Sequence, residues 1–203
     1  MSIEVCDTGR GNRVEISRSV KVQGNYTINI QGNNNNLVIG ENSILGNVLI
    51  EIRNNNSSIV IGERCLLNGS LRCRDNNSHI TIGAKTTMMN VQITMHEPGK
   101  IVVGEDCMFS GDIRMDVSDM HSIIDADTMC RINPPEDITI GNHVWIGQGV
   151  HVLKGSVIGS DSILGAKALV ASAIPENAIA VGVPAKVVRR GVTWDRKRLP
   201  YKK

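Results

Sequence analysis

Between residues 140 and 170 an aliphatic side chain returns at every sixth position: Ile140, Ile146, Val152, Ile158, Leu164 and Val170. Four residues after each comes Val144, Val150, Ser156, Ser162, Ala168 and Ile174, and glycine follows the aliphatic at 141, 147, 159 and 165. A helix face requires spacings of three and four, so this pattern excludes one. It suits a triangular coil of three short strands, each pointing one aliphatic inward and burying it against the turns above and below. Three such hexads make about 18 residues per turn. The fold class predicted is therefore all-β, a parallel solenoid of seven or eight coils.

Upstream the same grammar runs at a longer period. LVIGENS at 37, IVIGERC at 59, ITIGAKT at 80, IVVGEDC at 101 and ITIGNHV at 138 align with spacings of 22, 21, 21 and 37. The last spacing is one ordinary repeat plus an insertion of about 16 residues between Asp116 and Asp137. One slot in each unit holds Ser43, Cys65, Thr86, Cys107 and Val144, small residues of any polarity, which reads as a steric demand. Cys65 and Cys107 are on this reading core fillers. The residues added per turn gather at one corner, where Asn33 to Asn36, Asn54 to Asn56 and Asn76-Asn77 recur. Asparagine accepts the left-handed backbone that a tight corner needs, and stacked amides can pair between turns. The chain reads as one domain over 1–203. It divides into N-terminal coils over 26–116, an inserted loop over 117–137, hexapeptide coils over 138–185 and a basic segment over 186–203, helical from about Trp194.

Composition sharpens this picture. Only Tyr26, Phe109, Trp145, Trp194 and Tyr201 are aromatic, fewer than a broad layered core would use. The five cysteines form no CxxC pair, and no apolar run is long enough for a signal peptide or a membrane span. A cytoplasmic protein with free thiols is expected, without stable membrane insertion and without a nucleic-acid partner. The net charge of +2 conceals an asymmetry: residues 186–203 carry eight basic side chains against Asp195 alone. Such a segment on an otherwise acidic body suggests an anionic ligand.

The run of [LIV]-G-x-x-[small]-x hexads resembles the hexapeptide-repeat acyltransferases, over about residues 26–194. That resemblance implies a left-handed parallel β-helix; the period alone gives only a solenoid, and the usual right-handed crossover rule would mislead. It also implies a homotrimer with the active site between subunits. Within the family, SDMHSI, RINPP, IGNHVWIG and GVPAKVVR are similar to the sialic-acid, polysialic-acid and capsule O-acetyltransferases. The resemblance makes His121 of DMHSI the catalytic base and places Trp145 of HVWIG beside the thioester of acetyl-CoA. It further implies coenzyme A contacts at Gln148, Ala166 and Ser172, with Lys186, Arg189 and Arg190 near the nucleotide phosphates. The turn after LGAKALV reads Ala171-Ser172-Ala173 where relatives often place Thr-Lys, which puts side-chain contacts there in doubt.

The implied chemistry suits these residues. An alcohol is a poor nucleophile at neutral pH, so a base must take its proton as it attacks the thioester, and a histidine titrating near neutrality can do this. Asp119, Asp125, Arg131, Asn133 and His143 are candidate contacts to the acceptor, while His79, His96 and His151 read as surface or corner residues. The acceptor expected by resemblance is a surface glycan, with a polyanion such as polysialic acid in view. A simple sugar, serine or a xenobiotic is the alternative. A zinc enzyme on the same coil would need an HxxxxH pair, which the sequence lacks, so no metal is expected. A non-catalytic solenoid would carry regular threonine ladders and no long insertion.

Overall fold

A computed structural model describes residues 3–201; Lys202 and Lys203 of the basic segment lie outside them. The described residues form 21 short strands and no helix. The strands stack in parallel register into three faces. The first face stacks Lys21–Val22, the first halves of Ile44–Ile52, Leu66–Cys73 and Thr87–Met95, then Met108–Phe109, Trp145–Ile146, Ile163–Leu164 and Ala178–Val181, eight rungs in all. The second stacks Cys6–Asp7, Tyr26–Ile30, the second halves of the long strands, then Ile113–Asp116, His151–Val152 and Leu169–Val170. The third runs from Arg13–Ile16 through Asn36–Ile39, Ser58–Ile61, Ser78–Ile82, Gly99–Val103 and Ile138–Ile140 to Val157–Ile158.

The hexad positions fill the interior. Ile140, Ile146, Val152, Ile158, Leu164 and Val170 are buried, as are Val144, Val150, Ser156, Ser162, Ala168 and Ile174. Each fully buried aliphatic contributes about 1.5–3 kcal/mol of transfer free energy. Phe109 occupies the same kind of slot and is the largest fully buried side chain. The glycine after the aliphatic is required by stacking: a Cβ on Gly104 would lie 2.5 Å from the carbonyl oxygen of Gly141, one turn on. At the asparagine corner Asn34, Asn56 and Asn77 take φ values of 56, 56 and 55°. Their neighbours form the amide ladder that the repeat implies, with Asn33 N–H donating to Asn55 Oδ1 and Asn55 N–H to Asn76 Oδ1.

Three expectations change. The solenoid begins well before residue 26, because Cys6–Asp7, Arg13–Ile16 and Lys21–Val22 already occupy the three faces. The tail is not helical from Trp194. Instead Lys186–Arg190 pairs antiparallel with Ala178–Val181, and the residues after it run as irregular chain. The small-residue slot is polar as well as steric. Ser43 Oγ donates to the Gly62 carbonyl and accepts from Cys65 N–H; Thr86 Oγ1 donates to Gly104 and accepts from Cys107 N–H. The thiols of Cys65 and Cys107 continue the ladder to the carbonyls of Gly83 and Gly141. Burial raises the Cys65 thiol above its ordinary value and pushes Cys107 up to about 11, so both stay protonated and inert. No helix among the described residues is long and apolar enough to cross a membrane.

Candidate active site

The solenoid is interrupted where the second face should pass to the third. Instead of turning, the chain leaves Asp116 and returns at Ile138. His121 lies in this excursion, exposed, with its N–H donating to the Asp119 carbonyl at 2.8 Å. Asn133 is buried and organises the loop. Its Nδ2 donates to the His121 carbonyl at 2.8 Å and to Asp119 Oδ2 at 2.9 Å, while its Oδ1 accepts from Ile123 N–H.

Two ion pairs fasten the loop to the coil. Arg131 forks onto both oxygens of Glu97 at 2.7 and 2.6 Å, and Ser118 Oγ donates to the same carboxylate at 2.5 Å. Arg131 and Ser118 together hold Glu97 down at about 2. Lys154 reaches Asp119 at 2.5 Å and the Pro134 carbonyl at 3.0 Å, which lowers the Asp119 carboxyl. Asp125 caps its own turn through Thr128 and Asp127. Of the expected acceptor contacts, Asp125 and Asn133 spend their polar atoms within the loop, Arg131 is engaged by Glu97 of the coil and His143 by Asp161 at another corner, so only Asp119 of the set borders the open space beside the loop.

That space is a cleft of about 260 Å³ on the second face, lined in part by Gln92, Thr94, His96, Arg114, Asp116 and His151, with Ser118, Asp119 and Met120 on its rim. His96 Nδ1 bonds the Asp116 carboxylate. Burial lifts that carboxyl above its usual range, against the opposing pull of His96. The sequence reading missed His96 and His151 as cleft residues. The signal was available, since Gln92, Thr94 and His96, and likewise Arg114 and Asp116, alternate with buried aliphatics on strands that lead straight into the insertion.

Trp145 stands on the first face, on the rung between Met108 and Ile163, and is 38 % exposed. Trp194 packs beside it, with ring centroids 6.2 Å apart. His143, at the adjoining corner with φ of 53°, stacks on Trp194 and bonds Asp161 at 2.9 Å. Gln148 and Ala166 occupy equivalent positions on successive turns at the corner between the first and second faces, both exposed. Ser172 lies apart from them, past the end of Leu169–Val170 on the second face. Lys186, Arg189 and Arg190 sit on the antiparallel strand that covers the first face's last rung. Registers place Trp145, Ile163, Ile179 and Arg189 in one outward column, with about 5 Å between rungs. Within one chain the third face intervenes between His121 and Trp145. The loop that bears His121 is tied at Glu97 and Lys154, on the corner between the second and third faces, while Trp145 opens the first face beyond the third.

Comparison with known proteins matches residues 137–172 to the family described as bacterial transferase hexapeptide (six repeats). A polysialic acid O-acetyltransferase of Neisseria meningitidis is 33 % identical over 192 residues, covering 94 % of this chain and 89 % of that protein. The chain belongs to the hexapeptide-repeat acyltransferases. The crystal structure of the polysialic acid O-acetyltransferase OatWY superposes with a TM-score of 0.94 at 32 % identity, covering 97 % of this chain and 93 % of that one. That of the polySia-specific acetyltransferase NeuO does so with a TM-score of 0.87 at 28 % identity, covering 96 % and 89 %. The coil of this acyltransferase is thus a left-handed parallel β-helix. Other curated acetyltransferases match shorter stretches, and the alignments span only 20–37 % of their own length.

Proposed function

We propose that the protein is an acetyl-CoA-dependent O-acetyltransferase that modifies a hydroxyl of a glycan, with His121 as general base and Trp145 beside the thioester. What carries the reading is the similarity to a polysialic acid O-acetyltransferase along 192 residues, a length that must take in both the hexapeptide coils and the inserted loop.

The transfer is direct. His121 removes the hydroxyl proton as the oxygen attacks the thioester carbonyl. The tetrahedral adduct then collapses, the C–S bond breaks, and the leaving thiolate takes the proton back from the imidazolium. No acyl-enzyme is needed, so positioning in the ternary complex supplies much of the acceleration. Among the described residues no hydrogen bond uses the Trp145 indole N–H, which leaves it free to donate to the developing oxyanion. The donor's pantetheine arm fits the outward column from Trp145 toward Arg189, about 15 Å over three rungs. Gln148 and Ala166 flank that column, and Lys186, Arg189 and Arg190 offer cations to its phosphates. Ser172 lies off this line and is the weakest member of the set.

Because the third face intervenes between His121 and Trp145, a complete site needs the loop of one subunit and the first face of another. A homotrimer provides this arrangement. A cytoplasmic location would give the enzyme direct access to acetyl-CoA and is part of this proposal. The test is thiol release from acetyl-CoA with polysialic acid, free sialic acid and galactosides as acceptors. Transfer to a glycan supports the reading; hydrolysis alone, or transfer only to serine or a xenobiotic, rejects the glycan.

A further inference from the structure

The cleft beside the inserted loop contains one guanidinium, that of Arg114, with no ion-pair partner among the described residues. The two carboxylates of the cleft are matched, Asp116 with His96 and Asp119 with Lys154. Arg114 is the middle member of a column, with Gln92 on the rung before it and His151 on the rung after. These three side chains point outward because they alternate with Ile93, Met115 and Val152, which are buried. Thr94 and Asp116 form a parallel column one step along the strands. Rungs are about 5 Å apart, so the three outward groups span about 10 Å of cleft floor.

Resting on the reading above and on relatives named for polysialic acid, itself a polymer of a sugar acid, we propose that Arg114 is the specificity residue of this cleft and grips the acceptor's carboxylate. A guanidinium presents a planar fork of N–H donors that matches a carboxylate in two parallel hydrogen bonds. In a partly enclosed cleft whose own anions are already paired, that cation attracts an external one. Gln92 and Thr94 supply neutral groups for ring hydroxyls, and His151 supplies a second nitrogen beside the guanidinium. The rim residues Ser118, Asp119 and Met120 run directly into His121, so a sugar seated by its carboxylate lies next to the loop that bears the base. Arg114 on this view determines specificity and does not touch the transferred acetyl group.

The test titrates the full chain with N-acetylneuraminic acid, its methyl ester, galactose and inorganic phosphate, followed by ligand-observed NMR or calorimetry. Expected is binding of the free acid at least about tenfold tighter than the ester, the loss that follows when a charge-assisted pair is removed. Arg114→Gln should bring the acid to the ester's level with an unchanged melting temperature, since the side chain is exposed. Arg114→Lys should fall between, keeping the charge without the fork. Equal affinity for acid and ester in the wild type would overturn the proposal. So would an Arg114→Gln variant that binds the acid normally, competition by phosphate equal to that of the acid, or no binding of the acid. Should the cleft fail in this way while acetyl-CoA still acetylates galactose, the acetyltransferase reading survives and only the acid specificity falls. Acid binding through Arg114 without any transfer from acetyl-CoA would sink the acetyltransferase reading instead.

Discussion

The Trp194 indole lies flat against the His143 imidazole, centroids 4.2 Å apart and planes 7° from parallel, while its N–H donates to the His143 carbonyl at 2.7 Å. The irregular tail is thereby seated on the corner that carries Trp145. Arg196 completes the clasp, reaching Asp106, Thr87 and the Cys107 carbonyl, with its guanidinium 5.6 Å from the Trp194 ring. Trp194→Ala should remove a buried aromatic and release the tail, at a cost of about 1–3 kcal/mol. A lower melting temperature together with a raised KM for acetyl-CoA is expected. An unchanged donor KM would show the clasp to be structural only.

His121 is exposed, and its ring forms no hydrogen bond within the described residues. Replacing it with alanine should leave folding intact and lower kcat by about 10²–10⁴, the usual contribution of a positioned base. Coenzyme A affinity should hardly move. Near-normal turnover in single-turnover assays would remove the imidazole from the mechanism.

Thr86 tests the polar ladder inside the coil. Valine has nearly its shape, but it would leave the Gly104 carbonyl and the Cys107 N–H, both bonded to Thr86 Oγ1 at about 3 Å, without partners. Each orphaned group costs about 1–3 kcal/mol. Thr86→Val should therefore lower the chemical-denaturation midpoint substantially. A purely steric slot would tolerate the change.

The clasp between Glu97 and Arg131 makes the loop sensitive to acid. Glu97 falls from an ordinary 4.5 to about 2 when folded, so its ionised form favours the docked loop. That contribution is present in full above about 4.5 and is lost as pH falls through about 2. Corrected for the intrinsic pH dependence of exchange, amide protection over residues 117–137 should fall across this window, and Arg131→Met should produce the same loosening at neutral pH. Equal protection in wild type and variant would show that the Lys154–Asp119 pair suffices.

Much of the fold was legible because the interior of a triangular coil accepts one residue class at one period; Ile140 to Val170 could serve almost nothing else. The first turn was not, because Cys6–Asp7 and Arg13–Ile16 are end strands, and the aliphatics in and around them, Ile3, Val5, Ile16 and Val20, are only partly buried and do not follow the glycine-marked repeat. The tail misled because its basic residues suit a helix, whereas Trp194 and Arg196 find partners at a corner some 50 and 90 residues earlier in sequence. His121 and Trp145 were identified by their motifs. The pairing of His96 with Asp116 was hidden, since two residues 20 apart become neighbours only once the turn length at that corner is fixed. Arg131 and Asn133 looked like ligand contacts because a polar loop residue gives no sign in sequence of whether it faces inward or out.

The separation of His121 from Trp145 carries the most discriminating expectation. If each site joins the loop of one copy to the first face of another, neither His121→Ala nor Trp145→Ala alone can build a full site. A mixed oligomer can: a subunit with the Trp145→Ala change still carries His121, and one with the His121→Ala change still carries Trp145. With random 1:1 mixing in a closed ring, about a quarter of the interfaces receive both intact residues. The rest lack at least one. Co-expressed or co-refolded variants should thus recover roughly a quarter of wild-type turnover, well above the sum of the separate preparations. Recovery that disappears when the two proteins are mixed without subunit exchange would confirm the shared site. No recovery in verified mixed oligomers would place both groups in a single chain and remove the intersubunit arrangement.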